Sequence, residues 1–289
     1  MTSTFARPAV AVDVGGPDAL GAVRWAAREA GFRDATVRLV RVLPLWCGGG
    51  AERDLDVAAH VVGAITPTAA VERVVAVGHV TARLTAESRT ADLLVVGAGV
   101  RGGIRRALGA GPLALAGAAH CPVAVVPASW EAPDPALPVV VGVDGSPSDE
   151  AAISFAFDAA AARSAVLLAV HTWVDLVVDG SPADLADWNR ISTEESAVLE
   201  ERLVRSAAAH PEVVVERVCR SSSATRLLVE LSRRAQLVVI GSHGHGRIAG
   251  HLVDAAGHGL ARAAGCPWVI ARTVQMRASI GEPGGGHRG

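Results

Sequence analysis

Three stretches of this chain occur twice in the same order, and that duplication limits what it can fold into more than any other feature. "VAVDVGGPDALGAVRWAAREA" at 10–30 returns as "VGVDGSPSDEAAISFAFDAA" at 141–160. "TADLLVVGAG" at 90–99 returns as "RAQLVVIGSHG" at 234–244, and "AHCPVAVVP" at 119–127 as "AGCPWVIAR" at 264–272. Asp13 and Asp144 are 131 residues apart, whereas Cys121 and Cys266 are 145 apart. The second copy is therefore longer in its middle, mostly between Trp173 and Val213.

Each copy alternates short apolar runs with helical patterns. In the first, Ala9–Val12, Val37–Val42, Val71–Val77, Leu93–Val96 and Val123–Val126 read as strands, with helices over 18–31, 51–64, 80–89 and about 109–118. In the second, the strands are Val139–Val143, Val166–Val170, Val213–Val218, Leu237–Ile240 and Trp268–Ala271. Ser192 and Glu195 are spaced as a capping box and predict a helix over 192–209. Strands this apolar are expected to be buried on both faces, in a parallel sheet. The fold class is α/β: two tandem doubly wound domains, each a five-stranded parallel sheet with helices on both faces. The expected boundaries are 8–127 for the first domain, 128–138 for a proline-rich, semi-rigid linker, 139–273 for the second domain and 274–289 for a glycine-rich tail.

Composition excludes several function classes. Net charge is −2, which gives no electrostatic footprint for nucleic acid or for an anionic membrane. No stretch is long and apolar enough to span a bilayer, and no signal peptide opens the chain. Four cysteines without a CxxC pair suit a reduced, cytoplasmic setting. All 27 basic residues are arginine, so neither a P-loop lysine nor a Schiff-base lysine is available.

Ligand sites in such folds lie beyond the carboxyl ends of the strands, near the topological switch point. Asp13 and Val14 end the first strand of one copy, and Asp144, Gly145 and Ser146 that of the other. An aspartate there can hydrogen-bond a sugar or base; equally, Asp144–Pro147 can be a turn that caps a helix. The fourth strands end in glycine-rich turns, at Gly97, Gly99 and Gly109 followed by Ala110, and at Gly241 and Gly244. Backbone N–H groups in such turns suit phosphate. His243, His245, His251 and His258 lack a carboxylate or cysteine at a metal-ligand spacing. Cys121 and Cys266 precede proline and read as buried packing residues, while Trp46 and Trp173 read as lid or packing residues.

The start "VGVDGSPS", the segment "LSRRAQLVVIGSHGHG" and the closing Cys-Pro strand together resemble the universal stress protein family, over about residues 8–273. The resemblance implies a five-stranded parallel α/β fold, often dimeric through its last strand, and a role in stress survival. It also implies, for the ATP-binding branch, a Gly-x2-Gly-x9-Gly-Ser/Thr pattern after the fourth strand. The second copy matches that pattern at Gly241 and Gly244, then has Asp254 and Ala255 in place of Gly-Ser. The first copy is one residue short between Gly97 and Gly99, and Ala110 replaces the hydroxyl. A carboxylate about 4 Å from a phosphate costs on the order of 4 kcal/mol at an effective dielectric of 20. Asp254 therefore reads as a helix cap standing in the phosphate position.

The expected function is weakened adenine-nucleotide (ATP) binding, better in the first copy, with action by association and not by catalysis. A scaffold with both pockets empty and a slow ATPase are the alternatives. Each closing strand is expected to pair at a sheet edge, either within the chain or in a homo-oligomer.

Overall fold

The computed structural model describes residues 7–16, 18–45, 50–98, 111–146, 149–173, 184–242 and 252–272. The first half contains strands β1 (Ala9–Asp13), β2 (Thr36–Leu43), β3 (Val71–Val77), β4 (Leu93–Gly97) and β5 (Val123–Val126). Its helices are α1 (Ala19–Arg33), α2 (Ala51–Ile65), α3 (Val80–Glu87) and α4 (Pro112–Ala118). The second half has β6 (Val139–Val143), β7 (Leu167–Trp173), β8 (Val215–Ser221), β9 (Leu237–Gly241) and β10 (Trp268–Ala271). With them go α5 (Asp149–Arg163), α6 (Asp184–Ala209), α7 (Ala224–Leu231) and α8 (Leu252–Ala263).

The two parallel sheets are joined. The strand order is β3-β2-β1-β4-β5-β10-β9-β6-β7-β8, one ten-stranded sheet. Every neighbouring pair is parallel except β5 with β10, which run antiparallel with Val125 opposite Trp268, Ala124 opposite Val269 and Val123 opposite Ile270. The expected pairing of the closing strands is thus made within a single chain. Helices cover both faces. One core packs α1, α2, α5 and α6 against residues such as Val10, Val12 and Val269. The other packs α3, α4, α7 and α8 against Ala11, Val125 and the fully buried Trp268. Alternate residues of one strand thus feed opposite cores, as the period of two requires.

Duplicated polar contacts tie helix to strand in each half. Ser88 Oγ accepts from the His120 N–H, and Ser232 Oγ accepts from the Gly265 N–H, both at 2.9 Å. Burial drives the Cys121 and Cys266 thiols up to about 12. At neutral pH both are protonated, inert packing groups.

Two local expectations are corrected. β3 is largely exposed and carries Glu72 and Arg73, because it closes one end of the sheet and charge there discourages further pairing. Helix α6 begins at Asp184, not at Ser192. The apolar spacing Leu185, Trp188, Ile191 continues the helical pattern upstream, and Glu195 bonds a histidine elsewhere instead of forming a capping box. Within 128–138, Trp130 is buried in the first core, and its backbone N–H donates to the Pro127 carbonyl.

A buried ion cluster clasps the halves together on the α1/α5 face. Glu29, only 1% exposed, accepts from Arg33 Nε at 2.7 Å and from Arg163 of the other half. Arg33 lies over the Phe155 ring and Arg163 over the Phe32 ring, so each guanidinium stacks across the domain boundary. Burial alone would raise the Glu29 carboxyl pKa. Arg163 and Arg33 outweigh burial and hold it below the usual range. Glu29→Gln is expected to cost about 3–5 kcal/mol, because it leaves a buried guanidinium without its counter-charge. Urea unfolding should show this, and a joint replacement of Glu29 and Arg163 by methionine should cost clearly less.

Candidate functional site

The strand order places a switch point in each half. The chain leaves β1 towards β2 and β3, then returns to β4 on the other side, so a crevice opens between the carboxyl ends of β1 and β4. The second half repeats this between β6 and β9. Because the β5–β10 joint is antiparallel, the two sets of strands end on opposite edges of the sheet. The two crevices therefore face away from each other.

At the first crevice, Asp13 ends β1 and Gly97 ends β4. Asp13 is buried, and its Oδ1 accepts from the Gly15 N–H at 2.9 Å, which fixes the turn into α1. The Val14 N–H donates to the Val40 carbonyl and its side chain is buried, so Val14 is committed to the frame. Gly97 is required by close approach: a Cβ there would lie 3.3 Å from the Asp18 carbonyl oxygen. Gly99, Gly109 and Ala110 lie outside the described residues.

The second crevice is built from the same parts and filled differently. Asp144 Oδ1 accepts from the Ser146 N–H at 2.9 Å, the counterpart of the Asp13 contact. Gly145 has φ +83°, a left-handed conformation that glycine adopts without strain. The buried Asp149 carboxylate then folds back beneath the turn and accepts from the Asp144 N–H at 3.1 Å and the Gly145 N–H at 2.7 Å. All three N–H groups from Asp144 to Ser146 are thereby used within the turn. Helix α6 covers it from the other side. Arg202 donates to the Gly145 carbonyl at 2.8 Å, and Val198 lies 3.9 Å from where a Gly145 Cβ would stand. His171, buried at the end of β7, bridges the Val143 carbonyl at 2.8 Å and the Glu195 carboxylate at 2.7 Å. Strands β6 and β7 and helix α6 are tied together through that ring.

Asp149 and the His171–Glu195–Arg202 brace are residues that the sequence motifs did not single out. Asp149 had a signal, since it follows Asp144 within "VDGSPSDE", but an acid there reads as a dipole complement on the first turn of a helix. Asp254 stands in the first turn of α8, two residues after its start at Leu252, and not at the cap. Gly241 ends β9, whereas Gly244 and three of the four histidines singled out lie outside the described residues. Among the described residues no cluster of His, Cys, Asp and Glu could hold a metal ion, and no helix is long and apolar enough to cross a membrane.

The sequence model of the Universal stress protein family matches residues 6–127 and 137–272. A universal stress protein of Mycobacterium tuberculosis is 39% identical over 188 residues, which is 64% of this chain and 63% of that one. The aligned part therefore spans less than two thirds of that relative. A second from the same organism is 36% identical over 280 residues, covering 89% of this chain and 93% of the relative. A Pseudomonas aeruginosa protein described as functionally unknown shares the fold at a TM-score of 0.66, with 15% identity, over 93% of this chain and 94% of that one.

Asp149 has a measurable consequence. Burial first, and then the neighbouring Asp144 carboxylate, raise its pKa from 3.8 to about 7. The native state thus holds this proton more tightly than the unfolded chain does. Its contribution to stability is fully present below about pH 4 and is lost as pH rises through 7. Asp149→Asn keeps an oxygen acceptor for the two N–H groups and carries no charge. Thermal melts should show the variant gaining on wild type from about pH 5 to about pH 8. A difference that does not grow with pH would contradict the assignment.

Proposed function

The chain belongs to the universal stress protein family, and from that premise we propose that it binds one adenine nucleotide, ATP in particular, in the crevice between β1 and β4. The second crevice serves as structure, and the chain acts in the cytoplasm by binding and association, without catalysis. The observation that carries this is the unequal role of the acid five residues after each strand-end aspartate. In the second, Asp149 and Asp144 occupy the N–H groups from Asp144 to Ser146, and α6 lies over them. In the first, the position matching Asp149 is Asp18, the N-cap of α1, whose side chain makes no capping hydrogen bond.

An anionic ligand at a strand-to-helix turn needs backbone donors and a route to them. The first turn holds its Val14 and Gly15 N–H groups on Val40 and Asp13 and offers a ligand the Gly16 N–H. Its Asp13 carboxylate stands at the switch point, where a ribose or base edge would be read. The closed edge between β5 and β10 gives the chain within itself the association surface that the family resemblance would otherwise assign to a second copy.

Calorimetry on the full chain tests this with ATP, ADP and AMP. One nucleotide is expected for the two crevices together. Asp13→Asn, which keeps an acceptor for the Gly15 N–H and loses the charge, should weaken binding about tenfold. Asp144→Asn should leave it unchanged. Nucleotide in both crevices, none at millimolar concentration, or equal losses in both variants would overturn the proposal.

A further inference from the structure

The outer face of the second half carries a groove of about 770 Å³ between α7 and α8. One wall presents Arg226 from α7 with Arg233 and Arg234 from the turn that follows it; the other presents His258 and Arg262 from α8. Glu230 is the sole carboxylate lining it among the described residues. All four arginines are exposed, and none makes an ion pair with any described residue. By contrast, Arg38, Arg41 and Arg73 each meet a carboxylate within 2.8 Å.

This charge is not a property of the fold, because the first half lacks it. Aligning Leu93–Gly97 with Leu237–Gly241 sets Ala82, Arg89 and Thr90 opposite Arg226, Arg233 and Arg234. Aligning Cys121 with Cys266 sets Leu113 and Gly117 opposite His258 and Arg262. Only one of the four cations has a counterpart. Nor does it reflect a basic chain, since the net charge is −2. Like charges gathered around one concavity repel, and a multivalent anion relieves that repulsion.

We infer that this groove binds a small oligophosphate. Guanidinium groups grip phosphate oxygens bidentately, and several of them converging from two walls suit a short chain of phosphates better than a single one. The volume falls within the range of small-molecule sites. Glu230 leaves the lining with a net excess of three positive charges if His258 is neutral, close to the charge of a di- or triphosphate. The phosphate chain has two sources, free inorganic polyphosphate or the tail of a nucleoside triphosphate. This site lies on the helical face and is independent of the β1–β4 crevice.

The test is calorimetry on the full chain with tripolyphosphate, with citrate and ATP as comparisons, at low and at physiological salt. Tripolyphosphate should bind saturably and weaken as salt rises. Arg226→Gln with Arg262→Gln removes one cation from each wall and should lower the affinity about a hundredfold, roughly tenfold per guanidinium, with an unchanged thermal melt. Arg217→Gln, outside the groove, should leave it unaltered. If ATP competes with tripolyphosphate and loses affinity in the same double variant, nucleoside phosphates are the source; if ATP binding is untouched, inorganic polyphosphate is. No tripolyphosphate binding at low salt, equal binding of citrate, or unchanged binding in the double variant would overturn the assignment.

Discussion

The antiparallel joint between β5 and β10 is the contact on which the rest of this structure depends. Each half alone would end in a short, wholly apolar edge strand, VAVV or WVIA, which is a surface prone to aggregation. Pairing them satisfies both edges and moves the free edges out to β3 and β8, where charged residues are frequent. Both faces are then clamped across the seam. On one, Glu29 reaches Arg163; on the other, Arg272 donates to the carbonyls of Ala116 and Ala119. The joint also decides the geometry of function. It turns the two strand-end crevices to opposite edges, so a single small ligand has no means of bridging them.

Within that frame the two halves use one scaffold for different ends. The β-α turn, the Ser88/Ser232 contacts and the Cys-Pro entrance to the last strand recur almost unchanged. What differs sits at the carboxyl ends and on the helical surface. The second half has the longer helix α6, whose Glu195 and Arg202 reach His171 and Gly145, and this extra chain covers its own crevice. The same half carries the arginine groove. The first half keeps a simpler turn, and among the described residues its outer helices lack the arginine cluster. Opposite specialisation of two equivalent units follows readily from duplication, since the fold is held by residues distant from either site.

The buried parts of the fold were legible in the sequence because burial leaves a periodic mark. Val123–Val126, Val139–Val143 and Trp268–Ala271 match the apolar runs residue for residue, and the pairing of the last strands followed from their bare edges. The start of α6 was less legible, because Ser192 and Glu195 carry the letters of a capping box in the middle of a helix. The closure of the second crevice was attributed to Asp254 on the strength of a motif departure. Asp149 makes the contacts that are described, and it reaches back over the turn in a way that no spacing rule encodes. The groove arginines left no periodic mark either. In a chain without lysine, arginine occupies every basic surface position, and only the approach of α7 to α8 gathers these four.

Glu29 and Asp149 show how far partners, and not burial, determine what a carboxylate does. Both are almost completely inaccessible, and in both burial acts to raise the pKa. Glu29 faces two guanidinium groups and is held ionised. Its contribution to stability is present above the usual glutamate pKa of 4.5 and is lost as pH falls through the depressed native value. Asp149 faces Asp144 and two N–H groups, and keeps its proton up to about pH 7, with a side-chain hydrogen bond to Asp144. The interdomain clasp therefore weakens on the acid side, while the closed turn of the second crevice loosens on the alkaline side. Conditions near pH 4.5 come closest to satisfying both, since the Asp149 contribution declines from about 4 to about 7. The two groups act on separate elements, one on the seam between the halves and one on the β6–α5 turn. A rise in pH through neutrality thus removes stability at the β6–α5 turn, while the Glu29 clasp stays ionised.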